Sequence, residues 1–250
     1  MRSGDLTLGE GLTRLSKIEY YVSLVEMNTS SPKDCQPTEA HLKKMVARWI
    51  HRSGIQYCFE EFQFIRRPDL IAFNPEQGDV SLFNVFLRVP FDFLSAYHTR
   101  RHFTPESIAY QFGRELKTLK RDLDRLTNWG YLAKSDHGFR VIKTTPILSR
   151  LITVECKTKD WRGGFEQALS YKKLFAPKSY LALPLEAAKR ADRDPFLANG
   201  IGLLGATSEG DVTCLVPAKD TVASLYLHSA SASIMRSFFS KGLKQLQPSA

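Results

Sequence analysis

The chain has few cysteines, four in 250 residues, and no two of them form a C-x-x-C pair. A zinc ribbon is therefore not indicated. No uninterrupted apolar run approaches the roughly 18 residues that would suggest a membrane-spanning helix. The N-terminal MRSGDLTLGEGL lacks the apolar centre of a secretory signal. These two absences predict a cytoplasmic chain with no membrane partner. Internal repeats and low-complexity segments are missing too. With 43% hydrophobic and 24% charged residues, a disordered or collagen-like chain is excluded. The length suits one or two domains, with about 73% of the surface open to burial. A core of that size needs no metal or disulfide staple.

Acidic residues are the scarcer charged type, 26 against 35 Lys plus Arg, for a net charge of +9. Such an excess favours a polyanionic partner. Between Arg88 and Lys143 stand 11 basic and 6 acidic residues, so more than half of the excess lies in under a quarter of the chain. His98 and His102 within it have the i, i+4 spacing of one helix face. No cysteine or carboxylate nearby completes a metal site, which leaves a polar face or a phosphate contact.

Hydrophobic periodicity predicts a helix within 7–27, then one capped by Thr38 that buries Leu42, Met45, Val46, Trp49 and Ile50 and stops at Gly54. IQYCFEEFQF, PDLIAF and VSLFNVFLRV read as three strands, with NPEQGD as a turn. From Pro90 the pattern changes to three short helices: FDFLSAYHTRR, then PESIAYQFG behind a Thr104-Pro105 start, then ELKTLKRDLDRLTNWG. YLAKSDHGFRVIK follows as two short strands about a His-Gly turn. LITVECKTK is a strand, WRGGFEQALSYKKLF a helix, KSYLALP a strand and AKRADRDPFLANG helix and loop. GIGLLGAT and VTCLVPA pair across SEGD, and IMRSFFSKGLKQL closes as a helix.

At 100° per residue from Leu116, the apolar stripe of the third short helix centres at about 320°. Arg114, Lys117, Arg121 and Arg125 centre at about 140°, on the opposite side. A helix buried on one side and basic on the other is what phosphate or major-groove contact needs. A solvated charged face is the plainer alternative, and Asp122 and Asp124 flank the stripe. Three helices followed by a hairpin is the winged helix-turn-helix layout, and DLDRLTNWGYLAK resembles that family. Many winged helices contact protein instead of nucleic acid.

The chemistry-bearing constellation is Pro68-Asp69 on one strand with Glu155-Cys156-Lys157 at the end of another. Strand alternation points Glu155 and Lys157 the same way and leaves only the Cys156 carbonyl towards their site. Carboxylates from two neighbouring strands make an oxygen-rich pocket suited to Mg²⁺ or Mn²⁺. A lysine beside them can orient water or stabilise charge on a phosphate oxygen. Each residue also has an ordinary structural explanation: Asp69 as a turn residue, and Glu155 with Lys157 as a strand-end ion pair.

At these residues the chain resembles the PD-(D/E)xK, or restriction-endonuclease-like, nuclease superfamily. Glu39, early in the first capped helix, matches its helix-borne acid, and Pro68-Asp69 its first strand motif. Glu155 and Lys157 match the E-x-K pair. Gln167 and Tyr171 match the glutamine-tyrosine helix of many members. The resemblance implies that Asp69, Glu155 and the Cys156 carbonyl hold the metal, with Glu39 as a further ligand. It implies that Lys157 acts on the attacking water and that Gln167 positions Lys157 or the substrate. One departure is the 86 positions between Asp69 and Glu155, where the family has a short hairpin.

The expectation is an α/β protein with a restriction-endonuclease-like mixed sheet flanked by helices, interrupted by a winged helix-turn-helix. Its parts are a first core segment 1–87, the insertion 88–143 and a second core segment 144–250. The expected activity is Mg²⁺- or Mn²⁺-dependent hydrolysis of DNA, double-stranded through the winged helix. A non-cleaving DNA-binding regulator or interaction protein on a nuclease-like core, or an RNA-directed nuclease, are the alternatives. A homodimer would be common for such enzymes, although no interface signature stands in the sequence. Gly200, Gly202 and Gly205 spell G-x-G-x-x-G, but no helix opens within the motif as dinucleotide binding requires; a strand is the better reading.

Overall fold

The computed structural model describes residues 37–55, 57–60, 66–75, 80–221 and 225–245. The helix expected within 7–27 and the turn at 76–79 lie outside them. Helix α1 (Glu39–Arg52) starts where the Thr38 hydroxyl accepts a hydrogen bond from the His41 N–H at 3.2 Å. It ends before Gly54, which takes φ 78°, a conformation that favours glycine. Strands β1 (Tyr57–Glu60) and β2 (Leu70–Pro75) come next. Asp69 lies one residue before β2 rather than within it.

Residues 80–88, expected as a strand, form helix α2 (Val80–Arg88). Its β-branched and aromatic content suggested extended chain. Yet Leu82, Phe83, Val85, Phe86 and Val89 are buried at spacings of three and four, which only a helix turns to one side. Helices α3 (Phe91–Tyr97), α4 (Pro105–Phe112) and α5 (Leu116–Asn128) follow. A hairpin of β3 (Leu132–Ser135) and β4 (Gly138–Val141) completes this segment, with a bridge from Phe103 to Phe139. His98 caps the end of α3 and His102 lies beyond it, so the two histidines do not share a helix face.

The rest comprises β5 (Leu148–Cys156), α6 (Trp161–Leu174), β6 (Lys178–Pro184), α7 (Leu185–Arg190), α8 (Asp194–Asn199), β7 (Gly202–Ala206), β8 (Val212–Val216) and α9 (Leu227–Gln245). The protein is thus α/β, with a six-stranded sheet in the order β1-β2-β5-β6-β7-β8. The sheet is mixed. β2 runs antiparallel to both of its neighbours β1 and β5, β5, β6 and β7 run parallel, and β8 is antiparallel to β7. Helix α6 provides the crossover that a parallel β5–β6 pair requires.

Helices cover both faces, which is why the inner strands read as nearly continuous apolar runs. On one face α1 packs Leu42, Met45, Val46 and Ile50 over Leu70, Ala72, Ile152, Val154, Cys156 and Ala182. The alternate residues Leu181, Leu183 and Leu203 meet α6, α7 and α8 through Phe165, Ala188 and Phe196. Ile71 and Phe73 join a third cluster that runs through α2 and α9 into α3, α5 and the β3–β4 hairpin. Segment 88–143 therefore shares a continuous apolar core with the helices beside the sheet. The glycines of G-x-G-x-x-G serve packing. Gly200 ends α8 at φ 62°, and a Cβ on Gly202 would fall 2.0 Å from the Tyr180 ring.

Candidate active site

Two features bring the expected site residues together. Strands β2 and β5 are neighbours despite their separation in sequence, and Leu70 stands opposite Val154. This register sets Asp69, at the start of β2, beside Glu155, near the end of β5. Both lie at the same end of the sheet. The Cys156 N–H donates to Asp69 Oδ2 at 2.8 Å, so a backbone bond fixes the orientation of that carboxylate. Cys156 itself is fully buried in the α1 cluster, and its thiol turns away from the site as alternation requires.

Glu155 is only 3% exposed, and buried carboxylates require partners. Lys157 Nζ lies 2.7 Å from Glu155 Oε1. The Tyr171 hydroxyl, from α6, donates to Oε2 at 2.8 Å. The Arg67 carbonyl lies 3.2 Å from the same hydroxyl, which ties α6 to the segment leading into Asp69. Close approach of α6 depends on Gly164. A Cβ there would lie 2.5 Å from Leu181 Cδ1 and 2.9 Å from Lys157 Cγ.

Burial pushes the Glu155 carboxyl above its ordinary range, and the bonds from Lys157 and Tyr171 only partly offset this, with Asp69 adding to the rise. Burial opposes the Lys157 ammonium, but its bond to Glu155 and the fields of Glu155, Asp69 and Glu39 outweigh that and raise its pKa. Burial beside Glu155 also raises the Tyr171 phenol. Tyr171 is therefore a hydrogen-bond donor at neutral pH. Desolvation raises the Cys156 thiol well above its usual value, which leaves it protonated and inert.

Glu39 is exposed in the first turn of α1, and its charge acts on both Cys156 and Lys157. Gln167 is exposed on α6, four residues before Tyr171, and its side chain has no hydrogen-bond partner among the described residues. Sequence reasoning missed Lys43. Its Nζ lies 2.7 Å from Asp69 Oδ1. The signal was its i+4 relation to Glu39 on α1, which puts both on one helix face.

The basic residues of α5 stand apart from this centre. Arg114, Lys117, Arg121 and Arg125 are all exposed. Asp122, expected to flank their stripe, is buried and accepts two bonds from Arg88 of α2, at 2.7 and 2.8 Å. Arg125 Nη1 also approaches Asp122 at 3.7 Å. Asp122 therefore anchors α5 to α2, and Arg121 of the basic face approaches it as well, at 4.0 Å.

Asp69 and Glu155 are oxygen donors of the kind Mg²⁺ or Mn²⁺ takes, and Mg²⁺ is held by only one or two carboxylates in many proteins. Among the described residues no three His, Cys, Asp or Glu side chains cluster as a metal site. The fit is thus to an ion that keeps several waters. Each oxygen of Asp69 and Glu155 already has one donor, and each keeps a second lone-pair site that an ion could take.

No protein-family model matches the chain, and no curated protein matches it. Among solved structures, a similar one is the SPO1766 protein of unknown function from Silicibacter pomeroyi. It is 15% identical, with a TM-score of 0.40 over 86% of this chain and 92% of that one. Among the described residues no helix is long and apolar enough to cross a membrane.

Proposed function

We propose that the protein is a divalent-metal-dependent nuclease that hydrolyses DNA phosphodiester bonds, built on a restriction-endonuclease-like core. In this reading 88–143 is a winged helix-turn-helix that grips duplex DNA. The observation that carries it is the meeting of Asp69 with Glu155 and Lys157 at one sheet end. Residues 86 positions apart in sequence gain nothing by chance from such a meeting, and burying Glu155 beside a second carboxylate disfavours its ionised form. The order α1, three antiparallel strands, α6 and a parallel β6 supports the same reading.

In this site Asp69, Glu155 and the Cys156 carbonyl would hold Mg²⁺ or Mn²⁺, with Glu39 within reach of its field. The bound ion would supply Lewis acidity and a more acidic water. Lys157, released from Glu155, orients that water or meets charge on a phosphate oxygen. Tyr171 holds Glu155 by its hydrogen bond, and exposed Gln167 would position Lys157 or the substrate. Arg114, Lys117, Arg121 and Arg125 contact phosphates and contribute affinity without sequence readout.

The test is cleavage of plasmid, linear and single-stranded DNA with Mg²⁺ or Mn²⁺, with RNA as competitor. Asp69→Ala and Lys157→Ala are expected to abolish a metal-dependent activity of the wild type. Activity that survives Lys157→Ala would assign it to another site or another protein. One observation favours a non-cleaving DNA-binding module instead: two lysines already neutralise the two carboxylates. Tight DNA binding with no cleavage under any metal would select that alternative, and preferential competition by RNA would redirect the substrate assignment.

A further inference from the structure

We propose that the protein carries a second nucleic-acid surface, for a single strand with unpaired bases: the Tyr97 ring stacks on a base while Arg100 and Arg101 meet the neighbouring phosphates. The surface belongs to α3, α4 and the loop between them rather than to α5, and it adds a binding function to duplex contact and hydrolysis.

Tyr97, the last residue of α3, is 64% exposed. Single exposed apolar side chains are ordinary on protein surfaces, but this one is held in place. Phe93 backs its ring, with the centroids 4.6 Å apart and the planes 34° from each other. Phe93 is wedged in turn by Phe112 of α4 at 5.0 Å and by the His98 ring at 5.9 Å. Phe93 and Phe112 are both half-buried and pack against the core that runs through α3 and α5. A ring supported on one side and open on the other is a stacking platform. It offers a large apolar face, and little side-chain freedom is left to lose on binding.

The charge around the ring selects the partner. Residues 93–105 contain no Asp or Glu. Arg100, Arg101 and His102 follow Tyr97 in the loop and are all exposed, and among the described residues neither arginine makes an ion pair. Burial lowers the His98 pKa and the charge of Arg101 lowers it further, which sets Arg101 close to the ring cluster. The acids on either side of this stretch are occupied. Asp92 accepts from the His228 and Ser229 N–H groups, and Glu106 pairs with Lys120 at 2.7 Å. Unpaired cations call for an anionic partner, and the open ring calls for one with flat apolar faces. Bases joined by phosphates have both properties, and proteins that bind single strands combine stacking rings with cations in this way. A duplex offers only base edges in its grooves, so the ring requires an unpaired strand.

The experiment measures fluorescence anisotropy with short labelled oligodeoxyuridylate and oligouridylate strands, an abasic strand of the same length and a blunt DNA duplex. The full-length protein is used in EDTA, so that no metal or cleavage enters the readout. The wild type should bind the base-bearing strands about fivefold or more tightly than the abasic one, since one stacked base is worth about 5–150-fold. Tyr97→Ala should lose that preference and keep its duplex affinity, whereas Tyr97→Phe, which retains the ring, should resemble the wild type. Replacing Arg100 and Arg101 together by Gln should make the salt dependence of single-strand affinity shallower by about 1.4. Equal wild-type affinity for base-bearing and abasic strands overturns the proposal whether or not any variant folds. A folded Tyr97→Ala protein with the preference intact overturns it too. Polyglutamate that competes as well as the oligonucleotides would point to an acidic protein partner instead, and the surface would then not be one for nucleic acid. Stronger binding of either the deoxyuridylate or the uridylate strand supports the surface and assigns its sugar. A protein that cuts no DNA with any metal yet shows the Tyr97-dependent preference would lose the nuclease reading and keep this one.

Discussion

Glu155 carries the sharpest conflict among the site residues. It is nearly inaccessible, lies close to Asp69, and keeps its charge through one ammonium and one phenol. Its raised pKa means that the folded protein holds this proton to higher pH than the unfolded chain does. Glu155 thus favours folding below the ordinary carboxylate range, and that contribution fades as pH rises through its folded value. If the protein is the proposed nuclease, metal binding needs the opposite state, and the acid limb of its activity should lie above the usual glutamate range. Tyr171→Phe removes a donor that lowers this pKa. We expect its acid limb to move to higher pH and its plateau to fall about 10–100-fold, the usual effect of losing an outer-shell partner. A pH–activity series on both proteins checks this, and an unmoved limb would remove Tyr171 from the control of Glu155.

At the level of elements, much of the fold was legible because local signals agreed with their surroundings. Thr38 and Thr104 cap helices where their positions before apolar-periodic runs suggested. The His137-Gly138 turn pairs β3 with β4. Helix α2 was misread because a short run of Leu, Phe and Val is ambiguous until one knows what covers it. Here its apolar side meets α9 and α5, and Arg88 at its end holds Asp122. A second anchor was invisible in sequence. Asp92 of α3 accepts from the N–H groups of His228 and Ser229 at 2.7 and 3.0 Å and so caps α9. Burial opposes the Asp92 carboxylate, but bonds from His228 and Ser229 outweigh it and lower its pKa. Its stabilisation is therefore present above the ordinary carboxylate range and is lost as pH falls through the lower folded value. Asp92→Asn should cost about 1.5–3 kcal/mol, as for hydrogen bonds to a charged group. Urea unfolding at pH 7 should reveal the loss, and the gap to wild type should narrow towards pH 3. A gap unchanged with pH would deny the carboxylate its role.

At the scale of the whole molecule, the basic residues of α5 and those at the sheet end have different surroundings. On α5 the basic residues are exposed, and the stripe's nearest acid, Asp122, is engaged by Arg88. At the sheet end, cations sit on carboxylates. If Arg114, Lys117, Arg121 and Arg125 each neutralise one phosphate, the logarithm of duplex affinity should fall with the logarithm of salt concentration at a slope of about −3.6. Replacing Arg121 and Arg125 by Ala should make that slope shallower by about 1.8. A salt titration by fluorescence anisotropy measures both, and binding indifferent to salt would remove these residues from the interface. The sequence by itself determined most helices and strands, the basic face of α5 and the chemical types in the candidate site, because these depend on periodicity, capping and residue identity. Only the tertiary structure decided that β2 lies beside β5 and that Asp122 and Asp92 serve as internal anchors. It alone put Lys43 on Asp69. Strand pairing and ion pairing between distant segments depend on which apolar faces are buried together, and no local pattern encodes that choice.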